Sequence, residues 1–180
     1  MFRFRLEIAG QVQMDRGIAR FADGVSDYRP IWPVIADDFY AQEKDQFKSE
    51  GTEGGEEWQQ LSPEYEKWKE VHFPGKPILQ RTGDLYKSLT SASDPNTVNR
   101  QERKTLTLGS KVPYAIYHQR GTSRMPARPE IQLPEAFKRT TMHHMQVYLV
   151  QMATRYGFRE GMGPLEASRR GLGGWGRLGA

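Results

Sequence analysis

Hydrophobic and polar positions alternate in register with several different elements along this chain. Residues 2–8 place Phe2, Phe4, Leu6 and Ile8 on one parity, with Arg3, Arg5 and Glu7 on the other. A period of two predicts a half-buried strand, which Gly10 ends. Met14, Ile18, Phe21, Val25 and Tyr28 then follow at spacings of four, three, four and three. That spacing is one face of a helix, weakened by Gly17 and Gly24 and stopped by Pro30. A second helix is expected from about Pro30 to Lys48. Its apolar stripe is Ile31, Val34, Ile35, Phe39 and Phe47, and its wet face is Asp37, Asp38, Glu43, Lys44, Asp45 and Lys48.

The stretch from Trp58 to Leu89 carries the clearest start and stop signals. It follows a turn region, GTEGGEE, at 51–57. Trp58 and Leu61 return to the core. Ser62 is placed to cap a helix, with Pro63 at its first position and Glu64 in its first turn. That helix carries Tyr65 and Trp68 and ends near Phe73, where Pro74-Gly75 breaks it. Thr82 is the expected cap of a short helix carrying Leu85, Tyr86 and Leu89. Trp58, Leu61, Leu85 and Leu89 are the expected core residues. The connection Phe73–Gln80 between the two helices is the expected point of contact with another subunit.

Residues 91–103 are polar and turn-like. Thr105 to Leu108 alternate as a β segment. Val112 to Tyr117 fits either a strand or a helical turn. His118 to Arg128 form a basic loop, Pro129 to Leu133 a short β segment, and Pro134 to Tyr156 a long final helix with the stripe Phe137, Thr141, Met145, Tyr148 and Met152. Residues 157–180 differ in kind: eight of the 24 are Gly. Alone, such a tail is expected to be flexible, yet it holds Leu172 and Trp175, and a large aromatic prefers a buried setting. No internal repeat is visible. The fold class expected is α+β: a small, mostly antiparallel sheet packed by several helices, including a long C-terminal one. The expected organisation is a single domain over 1–156 and a Gly-rich extension over 157–180, ordered on a partner.

Composition sharpens this picture. A chain of 180 residues can bury a core, but only 37% of its residues are apolar and its mean hydropathy is −0.75. That is lean for a compact monomer and suggests arms, or burial completed by partner subunits. Eight Tyr, eight Phe and four Trp argue against disorder. The net charge of +4 permits contact with nucleic acid or an acidic surface without demanding either. The absence of cysteine excludes disulfide and thiolate chemistry and fits a cytosolic product. No run of about 18 apolar residues is present to span a membrane, and the N-terminus lacks the apolar core of a signal peptide.

Candidate chemistry is sparse. His143 and His144 are adjacent, so a helix points them about 100° apart, which is poor geometry for a shared metal. His72 marks no ligand set. His118 beside Arg120 could act as a general base in a hydrolase with a carboxylate partner, a reading that requires a cleft around it. The sequence neighbours Asp37-Asp38 and Glu56-Glu57 diverge in space and read as solvated charge. The glycines at 51–55 lack the Lys-Ser/Thr of a phosphate loop. No catalytic, cofactor or metal residue is assigned. Arg120, Arg124 and Arg128, with Arg169 and Arg170, are the best polyanion or interface candidates.

A family pattern runs through these residues. Its pieces are Arg5-Leu6-Glu7-Ile8, Phe47-x-x-Glu50-Gly51, Trp58-x-x-Leu61-Ser62-Pro63, Ile78-Leu79-x-x-Thr82-Gly83-x-Leu85-x-x-Ser88-Leu89, Leu108-Gly109-Ser110, Pro113-Tyr114-Ala115-x-x-His118-Gln119-x-Gly121 and Ala127-Arg128-Pro129. Each is weak alone; together, in this order over residues 4–155, they are specific. The chain resembles the phage virion-morphogenesis or tail-completion proteins, a group similar to the neck proteins of long-tailed phages. It departs from them in a brief loop after Gly121 and in the Gly-rich tail. The resemblance implies a non-enzymatic α+β protein of the virion that forms a ring, six-fold where such rings meet a tail tube, at the head–tail junction. It implies as partners further copies of itself, a head-completion or connector protein, and a tail terminator or tail tube protein. Packaged DNA is a nonspecific further partner, through Arg120, Arg124 and Arg128. The implied location is the virion neck or tail, reached from the host cytoplasm during assembly. Interface residues expected are Phe73, Pro74, Lys76, Arg120, Arg124, Arg128, Arg169, Arg170 and Trp175. The alternative is a basic nucleic-acid-binding module using the loop from Arg120 to Arg128.

Overall fold

A computed structural model of the chain describes residues 11–156. The expected strand at 2–8, the Gly-rich extension, Leu172, Trp175, Arg169 and Arg170 lie outside the described residues. In chain order the elements are α1 (Gln11–Gly24), α2 (Trp32–Lys48), a 3-10 turn (Thr52–Gly54), α3 (Pro63–His72), α4 (Asp84–Thr90), β1 (Thr97–Gln101), β2 (Leu106–Ser110), α5 (Ala115–Arg120) and α6 (Glu135–Arg155). This is the α+β class with a long C-terminal helix. Contacts divide the described residues into two compact units, one of residues 29–144 and one of residues 11–28 with 145–156.

In the larger unit, α2 supplies Ala36, Phe39, Tyr40 and Phe47 to a core completed by Trp58, Ile78, Leu85, Leu89 and Val112. Pro33 sits in the first turn of α2, where its missing N–H costs nothing. The rings of Trp58 and Tyr86 both meet Phe47 edge-on, each with centroids 5.4 Å away. Of the expected core residues, Trp58, Leu85 and Leu89 are buried, and Leu61 packs against them half-buried. Ser62 caps α3 by accepting from the Tyr65 amide. Thr82 does not cap α4: Gly83 occupies that position at φ +85°, and the Thr82 hydroxyl donates to Asp84 instead.

Two expectations for α2 are corrected. Val34 is exposed, and Glu43 is fully buried rather than wet. The reason is helical phase: Glu43 lies four residues from both Phe39 and Phe47, on the face that meets the core.

The sheet is a two-stranded antiparallel ribbon pairing Thr97 with Ser110 and Gln101 with Leu106. The β segment expected around residues 105–108 is thus β2. Its partner β1 falls where a polar turn region is expected. Only Thr97 of that strand is buried, so period-two burial leaves no mark in its sequence. Thr97 fixes the strand to α4, its hydroxyl lying 2.8 Å and 2.7 Å from the Ser88 and Ser91 carbonyls. Of the two alternatives open for 112–117, the helix is the one adopted, and α5 extends through His118 and Arg120 into the expected loop.

No strand forms at 129–133. The backbone of Ile131 is instead satisfied by one side chain: Gln119 Nε2 donates to its carbonyl at 3.0 Å and Gln119 Oε1 accepts from its amide at 3.1 Å. A carboxamide here takes the place of a neighbouring strand.

In the smaller unit, α1 ends at Gly24, short of Tyr28. The Tyr148 hydroxyl of α6 donates to the Asp27 carbonyl just beyond that end, and Tyr28 tilts against the Tyr148 ring at 5.9 Å. Gly24 lies under Tyr156, where an added Cβ would stand 2.8 Å from the ring. Along α6 the expected stripe is seen: in the smaller unit Tyr148 is buried and Met145 and Met152 are half-buried, and in the larger unit Phe137 and Thr141 are half-buried.

Candidate functional site

In the larger unit, α3, the connection after it, α5 and the loop after Gly121 together enclose a cavity of about 480 Å³. Ser62 starts α3, and Tyr65 and Lys69 follow at spacings of three and four, so one face of the helix lines the cavity. The connection contributes Leu79, Arg81 and Thr82; Tyr114 and His118 come from the start and middle of α5. Arg124, Met125, Pro126 and Arg128 close it. Among the described residues, four of those lining it are Lys or Arg and none is Asp or Glu.

Two of these cations hold the walls together. Lys69 is 6% exposed, and its Nζ donates to the carbonyls of Lys76 and Pro77, both at 2.7 Å. Burial lowers its pKa, and the nearby Glu50, Glu70 and Glu66 act in the opposite direction. Arg128 is 4% exposed. Its Nε donates to the Gln59 carbonyl at 2.6 Å and its Nη2 to the Gln60 carbonyl at 2.8 Å. Arg128 is thus a buried tie to the segment before α3 rather than a free loop cation, because a guanidinium can satisfy two adjacent carbonyls from one rigid fork. Arg81 and Arg124 are exposed, and Arg81 lies over the Phe73 ring at 5.9 Å.

His118 is inside this cationic setting. Its backbone carbonyl accepts from the Arg128 amide at 2.8 Å, and its Nδ1 has no hydrogen-bond partner among the described residues. Burial, then Arg128 and Arg81, push its pKa down, which favours neutral imidazole. The cleft required by a hydrolase reading exists around His118, but among the described residues no carboxylate lines it to orient the ring, and Ser62 is engaged as a helix cap.

Outside the cavity, α3 exposes an aromatic ladder. Tyr65 stacks on Trp68 at 5.6 Å, and Trp68 on His72 at 4.5 Å. His72 Nδ1 donates to the Trp68 carbonyl at 2.7 Å. Val71 beside them is 79% exposed. The connection 73–80 is pinned at its base: the Ile78 amide donates to Glu50 Oε1 at 3.0 Å and Ile78 is buried. Its tip is open, with Pro74, Gly75 and Lys76 exposed and Gly75 at φ +67°.

Of the expected interface residues, Arg124 and Arg128 share the cavity, while Phe73 sits beneath Arg81 at its margin. Pro74 and Lys76 lie on the exposed tip. Arg120 is exposed on α5 and does not line the cavity. Lys69 and Arg81 were not expected there; the 62/65/69 spacing was the available sign for Lys69.

A second unforeseen feature is a buried carboxyl pair. Glu43 and Glu130 are 0% and 2% exposed, and among the described residues neither Glu43 oxygen has a hydrogen-bond partner. Burial pushes Glu130 up to about 7. Burial and the Glu130 charge push Glu43 up to about 9, so Glu130 ionises first and holds the second proton on Glu43. Asp38, expected to be solvated, contacts His144 Nε2 at 2.9 Å.

Among the described residues no group of three or more His, Cys, Asp or Glu could hold a metal ion, and no helix is long and apolar enough to cross a membrane. Among the described residues, the larger unit thus presents an exposed aromatic ladder on α3 and a basic cavity beside it. The chain belongs to the phage virion morphogenesis family, whose model matches residues 11–163. That family is one of virion structure and assembly, so the protein has a role in building the phage particle. Searches of curated proteins and of solved structures found no match.

Proposed function

We propose that the protein is a non-enzymatic component of the virion neck. It forms a closed ring of its own copies, six-fold where it meets the tail tube, that completes the tail or joins it to the head. The observation that carries this reading is the family match across most of the chain. Two physical features support it. The apolar content is lean, and the aromatic ladder of α3, with Val71, leaves an apolar face in water that a neighbouring subunit would cover. Closed rings use heterologous contacts, in which two different patches of one chain meet.

The neighbours on the ring axis are a head-completion or connector protein on one side and a tail terminator or tail tube protein on the other. The exposed tip Pro74–Lys76 is the element offered to them. The test is microscopy of purified necks and of the isolated protein, in which closed rings at the head–tail junction are expected. A strictly monomeric species in both settings refutes the reading.

A second reading, contact with packaged DNA, is favoured by one observation: Arg120 and Arg124 are exposed and, among the described residues, have no carboxylate partner. Such contact is nonspecific and falls steeply with salt.

A further inference from the structure

The basic cavity is matched by an acidic element of the same chain. The loop at 51–57, GTEGGEE, carries Glu53, Glu56 and Glu57 and no Lys or Arg. All three carboxylates are exposed, and among the described residues none has an ion-pair partner. The acids of α3 differ: Glu64, Glu66 and Glu70 share their helix with Lys67 and Lys69, and none of these three acids lines the cavity.

The acidic loop is clamped in place. The Gly54 amide donates to Gln46 Oε1 at 2.6 Å, the Glu53 amide to Ser49 Oγ at 3.0 Å, and the Trp58 amide to the Glu50 carbonyl at 2.7 Å. Gly51 adopts φ +101°, and a Cβ there would stand 2.5 Å from the Glu56 carbonyl oxygen. The loop lines no part of its own cavity, and these bonds hold it where it is. Cavity and loop are therefore two different, mutually complementary patches on one chain, which is the requirement for a head-to-tail contact.

We propose that the cavity between α3 and α5 receives the acidic loop of a neighbouring copy, so that Glu53, Glu56 and Glu57 of one subunit face Arg81 and Arg124 of the next. The proposal rests on the ring reading above and names its contact. The cavity lies in the ~300–1,000 Å³ range of sites that take several groups rather than a lone ion. Arg81 and Arg124 are the cations with freedom to meet a carboxylate, since Lys69 and Arg128 already hold backbone carbonyls. Tyr65 lines the cavity and also begins the exposed ladder, so the charged contact continues into the apolar face. This is the arrangement of aromatic and Arg anchors that carries binding energy at interfaces.

The experiment is a charge swap in the full chain, read by assembly state and by melting temperature. Arg124→Glu, and separately Glu56→Arg with Glu57→Arg, are each expected to weaken subunit association roughly a hundredfold. Neither should change the melting temperature of the subunit, because all three side chains are exposed. Combining the three substitutions in one chain should restore association. A carboxylate in the cavity should also raise the His118 pKa, so its imidazole NMR titration should move upward on assembly in the wild type.

If the wild type assembles and the single-site reversals leave it intact, the subunits meet elsewhere: this contact is overturned while the ring stands. If the wild type is monomeric in solution and in particles, both fall. If Arg124→Glu abolishes salt-sensitive DNA binding without touching assembly, the cavity serves nucleic acid and the proposal is wrong.

Discussion

Trp58 donates its indole N–H to the Pro129 carbonyl at 2.9 Å, joining two segments 71 residues apart. The indole is 2% exposed, and its ring meets Phe47 edge-on. Gln46 Nε2 approaches the same carbonyl at 3.4 Å. One residue thus fixes where the acidic loop ends and where the segment closing the basic cavity runs. Trp58→Phe keeps most of the apolar contact and loses the donor. A loss of about 1–2 kcal/mol in denaturant unfolding is expected. Trp58→Ala is expected to cost about 3–5 kcal/mol. Equal losses for the two variants would show that the hydrogen bond, not the ring, carries the effect.

Lys69 predicts a local rather than a global defect. Its ammonium bridges the Lys76 and Pro77 carbonyls, so Lys69→Met keeps the stem and removes the tie. Global stability is expected to fall by about 1–3 kcal/mol. The amides of residues 76–80 should exchange faster than the rest of the core, and protease should cut near Gly75 first. Uniform loss of protection across the unit would contradict a tie confined to the connection.

These two residues show how far the sequence was legible. Trp58 was readable as core because a large aromatic between a glycine-rich turn and a helix start has few other places to go. Lys69 was not, since a lysine on a charged helix normally reads as solvated. What buries it is the path of the connection, which brings two carbonyls to its tip. The strand β1 escaped for a related reason: a two-stranded ribbon with both faces largely wet writes no alternation. Residues 129–133 misled in the opposite direction, because the partner that completes their backbone is the side chain of Gln119. The helices were legible almost throughout, and the family pattern in Trp58–Leu89 proved to be core and cap chemistry in large part. The cavity was not legible: Ser62, Arg81, His118 and Arg124 converge only after four separate segments have packed.

The two helix starts give a matched comparison. Ser62 accepts from the Tyr65 amide, whereas Thr82 donates to the Asp84 side chain and Gly83 holds the cap position at positive φ. Ser62→Ala is expected to cost about 0.5–1 kcal/mol, and Thr82→Ala less than about 0.5 kcal/mol. Gly83→Ala is expected to cost about 1 kcal/mol through backbone strain alone, since nothing closer than the end of Lys87 meets the added methyl. Thermal melts of the three variants, run side by side, rank them. A larger loss at Thr82 than at Ser62 would reverse the assignment of the caps.

The Glu43–Glu130 pair makes stability depend on pH. Both carboxyls have folded pKa values above the ordinary carboxylate value of 4.5, at about 9 and about 7. The folded state therefore holds protons that the unfolded chain has released. Stability is fully present below pH 4.5 as far as these groups are concerned. It falls as pH rises through the window up to about 7 for Glu130 and about 9 for Glu43, by roughly 1.4 kcal/mol per unit for each group still protonated. Glu43→Gln removes the Glu43 contribution. Relative to wild type it should therefore gain on the order of 2–4 kcal/mol between pH 5 and pH 8. Glu130→Gln should flatten the lower part of the same window. Its neutral amide also lifts the like charge from Glu43, whose remaining titration should shift downward. Urea unfolding of the three proteins at half-unit pH steps measures this directly. A wild-type curve that rises between pH 5 and pH 8, or runs parallel to that of Glu43→Gln, would mean that the two carboxyls are ionised in the folded protein.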